Sequence, residues 1–161
     1  MQRRRLLTAV LAVVGEGGVA AVTSASVSQR AGVSRRTFYE LFGDREACLL
    51  AAFDHGVDRA VEAVAPSLEG QQTWRARMRA ALTALLIFFE AEPPVARLLI
   101  VEAAAAGAGV VERRAQIADR LSAFVDHGLG EPRADAVRSP VTAEAVVGAV
   151  IAVVQARLLD R

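Results

Sequence analysis

Apolar positions along the chain fall into helical registers and nowhere into strand-like alternation. Leu6, Leu7, Val10, Leu11 and Val14 recur in steps of three and four, which marks one face of a helix, and Gly15, Gly17 and Gly18 predict its end. Residues 23–42 predict two short helices joined by a tight turn. Asp44 is placed to cap a long helix through about Val64, with Phe53, Val57, Ala60 and Val61 turned inward and Pro66 as its stop. A further helix is predicted from Trp74 to Glu90, with Met78, Ala81, Leu82, Leu85 and Phe89 along one stripe. Pro93 and Pro94 suit the first turn of another, expected to run as ordinary helix through the Ala103–Ala106 tract to Gly107. Val110 to about Val125 follows, with Ile117, Leu121, Phe124 and Val125 predicted inward. The stretch from Gly128 to Pro140 reads as a loop, and Thr142 is placed to cap a last helix. The predicted fold is therefore all-α.

Residues 23–42 carry the most specific local grammar. Thr23 and Ser34 are both capping residues, each standing just before a helix. Val27 and Ala31 lie one turn apart and can pack inward. Gly32 can adopt the left-handed conformation that ends one helix sharply, with Val33 as an apolar plug in the turn. On the second helix Phe38, Leu41 and Phe42 share an arc and are predicted to face the core. The opposite arc presents Arg36 and Glu40, flanked by Thr37 and Tyr39, with Arg35 at the helix start. A short helix held by an apolar back with a polar front is what reading a major groove requires. Arginine can donate two parallel bonds to guanine, and hydroxyls bond phosphate oxygens.

Composition narrows the alternatives. The chain has 161 residues, 53% of them hydrophobic and only 5% aromatic, which fits packed helices better than a β-sandwich. Net charge is +1, but residues 1–50 carry seven Arg against four acids, while the remainder is slightly acidic. A mildly basic N-terminal third suits an anion-binding head. Lysine is absent, so Schiff-base chemistry is excluded. There is no nucleophile–base pair, no phosphate-cradling glycine loop and no metal-ligand spacing around His55 or His127, so neither an enzyme nor a metal or cofactor site is expected. Cys48 is single and predicted to be a packing residue. The longest apolar run, Ala145 to Val154, is too short to span a bilayer. Arg3 to Arg5 followed by Leu6 to Val14 has the look of a secretory leader. Glu16 close behind, and a best motif that cleavage near Ser24 would cut, argue instead for a cytoplasmic chain. Arg3 to Arg5 are then expected to form a disordered basic tail.

Residues 3–50 resemble the DNA-binding head of the TetR (tetracycline-repressor) family. The run from Ala31 through Gly32, Val33, Ser34, Arg35, Arg36, Thr37, Phe38 and Tyr39 to Phe42, Gly43, Asp44 and Leu49 carries that likeness. Ser28 departs from the small apolar residue usual in the family. The resemblance implies a three-helix head, residues 1–45, joined by a long helix to a ligand-binding and dimerisation bundle, residues 46–161. It implies that Arg35, Arg36, Thr37 and Tyr39, with Ser34 at their helix start, contact double-stranded operator DNA. It places Thr23 and Arg45 on phosphates, and lets the N-terminal arginines reach the backbone too. Trp74, Met78, Phe88 and Phe89 would line a pocket for a small hydrophobic effector, and the protein would be a ligand-responsive repressor working as a homodimer. By helix count one dimer helix of the family pattern is expected to be absent. A helical interaction module with a degenerate head is the competing expectation.

Overall fold

The computed structural model describes residues 1–129 and 143–159. Among them every regular element is helical: α1 (Gln2–Gly17), α2 (Ser24–Ala31), α3 (Arg35–Phe42), α4 (Arg45–Val64), α5 (Trp74–Ala91), α6 (Pro93–Ala96), α7 (Ala108–Leu129) and α8 (Ala143–Leu159). Thr142 and most of the stretch expected as a loop lie outside the described residues; α7 itself continues through Gly128 to Leu129. The chain divides into two compact units, Met1–Val111 and Glu112–Arg161.

The first unit is built around α1. Leu6, Val10 and Val14 are fully buried, as the three-and-four spacing predicts, and α1 packs on α2, α4 and α6. Helix starts follow the caps read from the sequence. The Thr23 Oγ1 accepts from the Ser26 amide at 3.0 Å while the Ser26 Oγ accepts from the Thr23 amide at 3.0 Å, a reciprocal capping box. Ser34 Oγ accepts from the Thr37 amide at 3.0 Å, and the Asp44 carboxylate from the Ala47 amide at 2.7 Å. Each satisfies an amide that would otherwise lack a partner at a helix start.

Several inward assignments change. On α4 the buried line is Leu49, Ala52, Phe53, Gly56 and Ala60; Val57 is half-buried and Val61 is 61% exposed. At 100° per residue Val61 stands roughly 125° round the helix from the middle of that line, so it faces solvent. The α5 stripe of Met78, Ala81, Leu82 and Leu85 is only half-buried, while Phe88 and Phe89 are buried. The expected single helix after Pro93 is broken. Four residues of α6 pass into a π-helical turn, Arg97–Val101, closed by the Glu102 amide on the Arg97 carbonyl at 2.9 Å, and then into a 3₁₀ turn, Ala103–Ala105. Alanine favours helix but has no side chain with which to choose a face; here Glu102, tied to the end of α1, chooses instead.

In the second unit α7 and α8 bury Val125, Val147 and Val154. Leu121 and Phe124, predicted inward, are 48% and 49% exposed, and Val153 on α8 is 60% exposed. Periodicity marks an apolar face but does not say which surface covers it. Among the described residues no helix is long and apolar enough to cross a membrane.

Candidate DNA-reading site

The site grows from the turn between α2 and α3. Gly32 has φ 63° and ψ 42°, the left-handed conformation in which its amide and that of Val33 close back onto carbonyls of α2. Val33 is half-buried in that turn. Helix α3 then lies on the core through Phe38, which is completely buried, and Phe42. Their rings are 5.7 Å apart, and the Tyr39 ring stands edge-on to Phe38 at 5.4 Å. Leu41, expected beside them, is 38% exposed. Eight residues give α3 room for only one contact line, and Phe38 with Phe42 occupies it.

The opposite face is polar and open. Arg35, Arg36, Tyr39 and Glu40 are exposed, and Thr37 is half-buried. Arg36 Nε donates to the Glu40 carboxylate at 2.8 Å, one turn along the helix, which leaves the terminal nitrogens of the guanidinium outward. Tyr39 donates its hydroxyl to Ser24 Oγ at 3.1 Å, so the polar face of α3 is continuous with the start of α2, where Thr23 is exposed. Ser34 Oγ and Thr37 Oγ1 are 3.0 Å apart. The structure thus brings Thr23, Ser34, Arg35, Arg36, Thr37 and Tyr39 onto the surface formed by two adjacent helix starts and one helix face.

Arg45 is not part of that surface. Its Nε donates to the Val22 carbonyl at 2.7 Å and its Nη2 to the Val19 carbonyl at 2.6 Å. It braces the 3₁₀ turn Val19–Ala21 that leads into α2. From the other side Glu102 Oε2 accepts from the Val19 amide at 3.1 Å, while Arg97 donates to Glu102 Oε1 at 3.0 Å and to the Gly15 carbonyl at 3.2 Å. The turn that sets the position of α2 is therefore held by side chains from α4 and from the segment after α6. Partners separated by 83 positions leave no local spacing by which the sequence could have announced them.

Other groups complete the head. Arg30 and Glu16 form a two-pronged ion pair that holds the Glu16 carboxyl below, and the Arg30 guanidinium above, their ordinary pKa values. A shallow groove of about 520 Å³ runs beside this pair, bordered by Val13, Ala21 and Gln29. None of Trp74, Met78, Phe88 and Phe89 borders it. Phe88 and Phe89 are buried with their rings tilted to one another, 5.8 Å between centres, and Trp74 and Met78 are half-buried. Cys48 is fully buried, and desolvation pushes its thiol up to about 12 with Arg3 pulling slightly the other way, so it is an inert packing group.

Ser28 is 3% exposed, and its hydroxyl has no hydrogen-bond partner. A buried hydroxyl without a partner is destabilising. Ser28→Ala is expected to stabilise the protein by roughly 1 kcal/mol, read as a higher urea midpoint at constant slope. A lower midpoint would mean that the hydroxyl is satisfied in solution.

A rigid helix with an apolar back, a polar face and capped helix starts beside it is the arrangement of a helix-turn-helix. Residues 6–52 match the family model described as bacterial regulatory proteins, tetR family. No curated protein sequence matches. Among solved structures, a TetR-like transcriptional regulator from Rhodococcus sp. RHA1 aligns at TM-score 0.76 and 23% identity, covering 99% of this chain and 84% of that one. The fatty acid degradation regulator FadR from Bacillus halodurans aligns at TM-score 0.80 and 16% identity, over 99% and 85%. FadR from Bacillus subtilis, in complex with stearoyl-CoA, aligns at TM-score 0.76 and 13% identity, over 98% and 85%. These likenesses extend the shared fold across α4 to α8.

Proposed function

We propose that the protein is a ligand-responsive repressor that binds a near-palindromic operator as a homodimer in the cytoplasm. The observation that carries this reading is the open polar face of α3, on which Arg35, Arg36 and Tyr39 stand exposed above a fully buried Phe38. Arg36 reads a base edge. Arg35, Ser34, Thr37, Tyr39 and Thr23 bond phosphates and set the register. Arg45 drops out of the contact set and acts by positioning α2.

The functional division is residues 1–45 for DNA and 46–161 for effector and dimerisation. The exposed Leu121, Phe124 and Val153 on α7 and α8 offer an apolar face for a second copy, which would set two heads against half-sites spaced by whole helical turns. The effector is small and largely apolar. Half-buried Trp74, Met78 and Leu85 leave the inner face of α5 incompletely covered, and the buried Trp74 indole N–H has no partner. A ligand with an apolar body and one acceptor oxygen satisfies both. The stearoyl-CoA complex of the Bacillus subtilis neighbour is consistent with such a ligand.

Operator sequences selected from genomic fragments by the purified protein provide the test. Arg36→Ala is expected to weaken binding to the selected site by about 1–3 kcal/mol, roughly 5- to 150-fold, and to relax discrimination at one base pair of each half-site. Equal affinity of variant and parent for that DNA would remove Arg36 from base reading. Failure of the parent to enrich any sequence would remove the function.

A further inference from the structure

The residue most directly opposite the buried side of α3 is an acid. Phe38 and Phe42 fix the middle of the core-facing line. At 100° per residue Glu40 stands roughly 180° round the helix from that middle, Arg36 roughly 140° and Tyr39 only roughly 80°. A groove that takes in the polar face of α3 therefore takes in Glu40 at its centre. Phosphates line both edges of such a groove, so a carboxylate there is repelled unless it meets a donor.

Stability does not explain the placement. The Glu40 side chain is 57% exposed, and its ion-pair partner among the described residues is Arg36, itself 88% exposed. An exposed pair one turn apart on a helix contributes little to folding. The pair does constrain Arg36. A guanidinium can grip guanine O6 and N7 side-on, through Nε and one terminal nitrogen, or end-on, through both terminal nitrogens. Nε is donated to Glu40 Oε1 at 2.8 Å, which leaves the end-on grip. The other carboxylate oxygen of Glu40 has no hydrogen bond to the protein and remains an acceptor. Base edges in the major groove offer it two donors, cytosine N4 and adenine N6. Adenine sets its N7 acceptor beside N6, which opposes a carboxylate, so cytosine is the better match.

We propose that Glu40 is a specificity-determining residue. One carboxylate oxygen holds Arg36 end-on to a guanine, and the other accepts from the amino group of a cytosine in the adjacent base pair. The inference rests on the DNA-binding reading and deepens it. Arg36 and Glu40 form a neutral unit that reads two base pairs together. Where a duplex offers no amino group at that place, the carboxylate is left among phosphates and base acceptors, so Glu40 discriminates by penalising the wrong sequence as well as by bonding the right one.

The test is site selection by the full chain from a randomised duplex library, with affinities for the selected operator and a scrambled duplex measured by fluorescence anisotropy. Glu40→Ala is expected to keep the parental melting temperature and to bind the operator about tenfold more weakly, the scale of one lost base contact. It should bind the scrambled duplex no more weakly than the parent does, because a negative charge has left the face. Its selected site should lose preference at one cytosine-bearing pair of each half-site and keep the rest of the motif. Glu40→Gln should replace that cytosine with adenine, since a side-chain amide can bond N6 and N7 together. Arg36→Ala combined with Glu40→Ala should cost less than the product of the two single losses, as expected for residues that act as a unit. A parental motif in both Glu40 variants, with the two duplexes shifting alike, makes Glu40 a solvated charge and overturns the inference. Tighter operator binding with a sharpened motif in Glu40→Ala also overturns it, by making Glu40 a competitor of guanine for Arg36. Both of those results leave the DNA-binding reading standing, whereas a parent that selects no sequence overturns that reading and the inference with it.

Discussion

Phe38→Ala is expected to destabilise the protein by about 3–5 kcal/mol, the usual cost of removing a phenyl ring from a filled core. Phe38 is 0% exposed and touches both aromatic neighbours on α3, Tyr39 and Phe42. The penalty is comparable with the whole stability of a marginal domain, about 5–15 kcal/mol. The first unit, into which the head is packed through α1, should therefore unfold at a much lower urea concentration. Urea unfolding followed by circular dichroism, together with operator binding, checks this. Phe38→Leu keeps most of the volume and should cost less, about 1–2 kcal/mol. If Phe38→Ala lowers stability by under about 1 kcal/mol, the ring is not the support of the reading helix. The same experiment separates support from contact, because Arg36→Ala should weaken DNA binding at unchanged stability.

Gly18→Ala should cost about 2–5 kcal/mol by two separable routes. The first is the backbone: Gly18 has φ 70° and ψ −178°, a region reached essentially by glycine alone. The second is space, for a Cβ there would stand 2.7 Å from Glu102 Oε1. The carboxylate would have to move, leaving the Val19 amide and Arg97 without their partner. A double-mutant cycle with Glu102→Ala resolves the two. The backbone part should persist in the double variant, while the part due to the displaced carboxylate should emerge as a coupling of about 1 kcal/mol or more. Strict additivity would show that Glu102 does not hold the turn in solution.

Much of the site was legible because its determinants are local. Capping at Thr23, Ser34 and Asp44, the left-handed Gly32 and the burial of Phe38 and Phe42 each depend on neighbours within about one helical turn. The departures from expectation share a cause. Leu41 and Val61 are apolar and near the right arc, but whether a residue at the margin of a face is covered depends on the neighbouring element. Leu121 and Phe124 lie on a helical face whose covering surface is not on their own helix. Arg45 stands at a helix start, where free amides and a cation suggest phosphate. Its side chain instead finds two carbonyls more than twenty positions earlier in the chain. The arginines of α1 resemble a tail because cations are unfavourable at a helix start, and packing of Arg3 on Phe42 outweighs that preference.

What the amino-acid order determined by itself is the all-helical class, the helix starts and the polar front of α3, since propensity, capping and periodicity act within a turn or two. Only the tertiary structure decided how the π and 3₁₀ turns replace a helix after Pro93, where Glu102 and Arg97 grip the end of α1, and that Arg3 to Arg5 stand ordered beside α3. Those outcomes are settled by hydrogen bonds, ion pairs and ring contacts between distant segments, whose partners are chosen by proximity in space after the chain has folded.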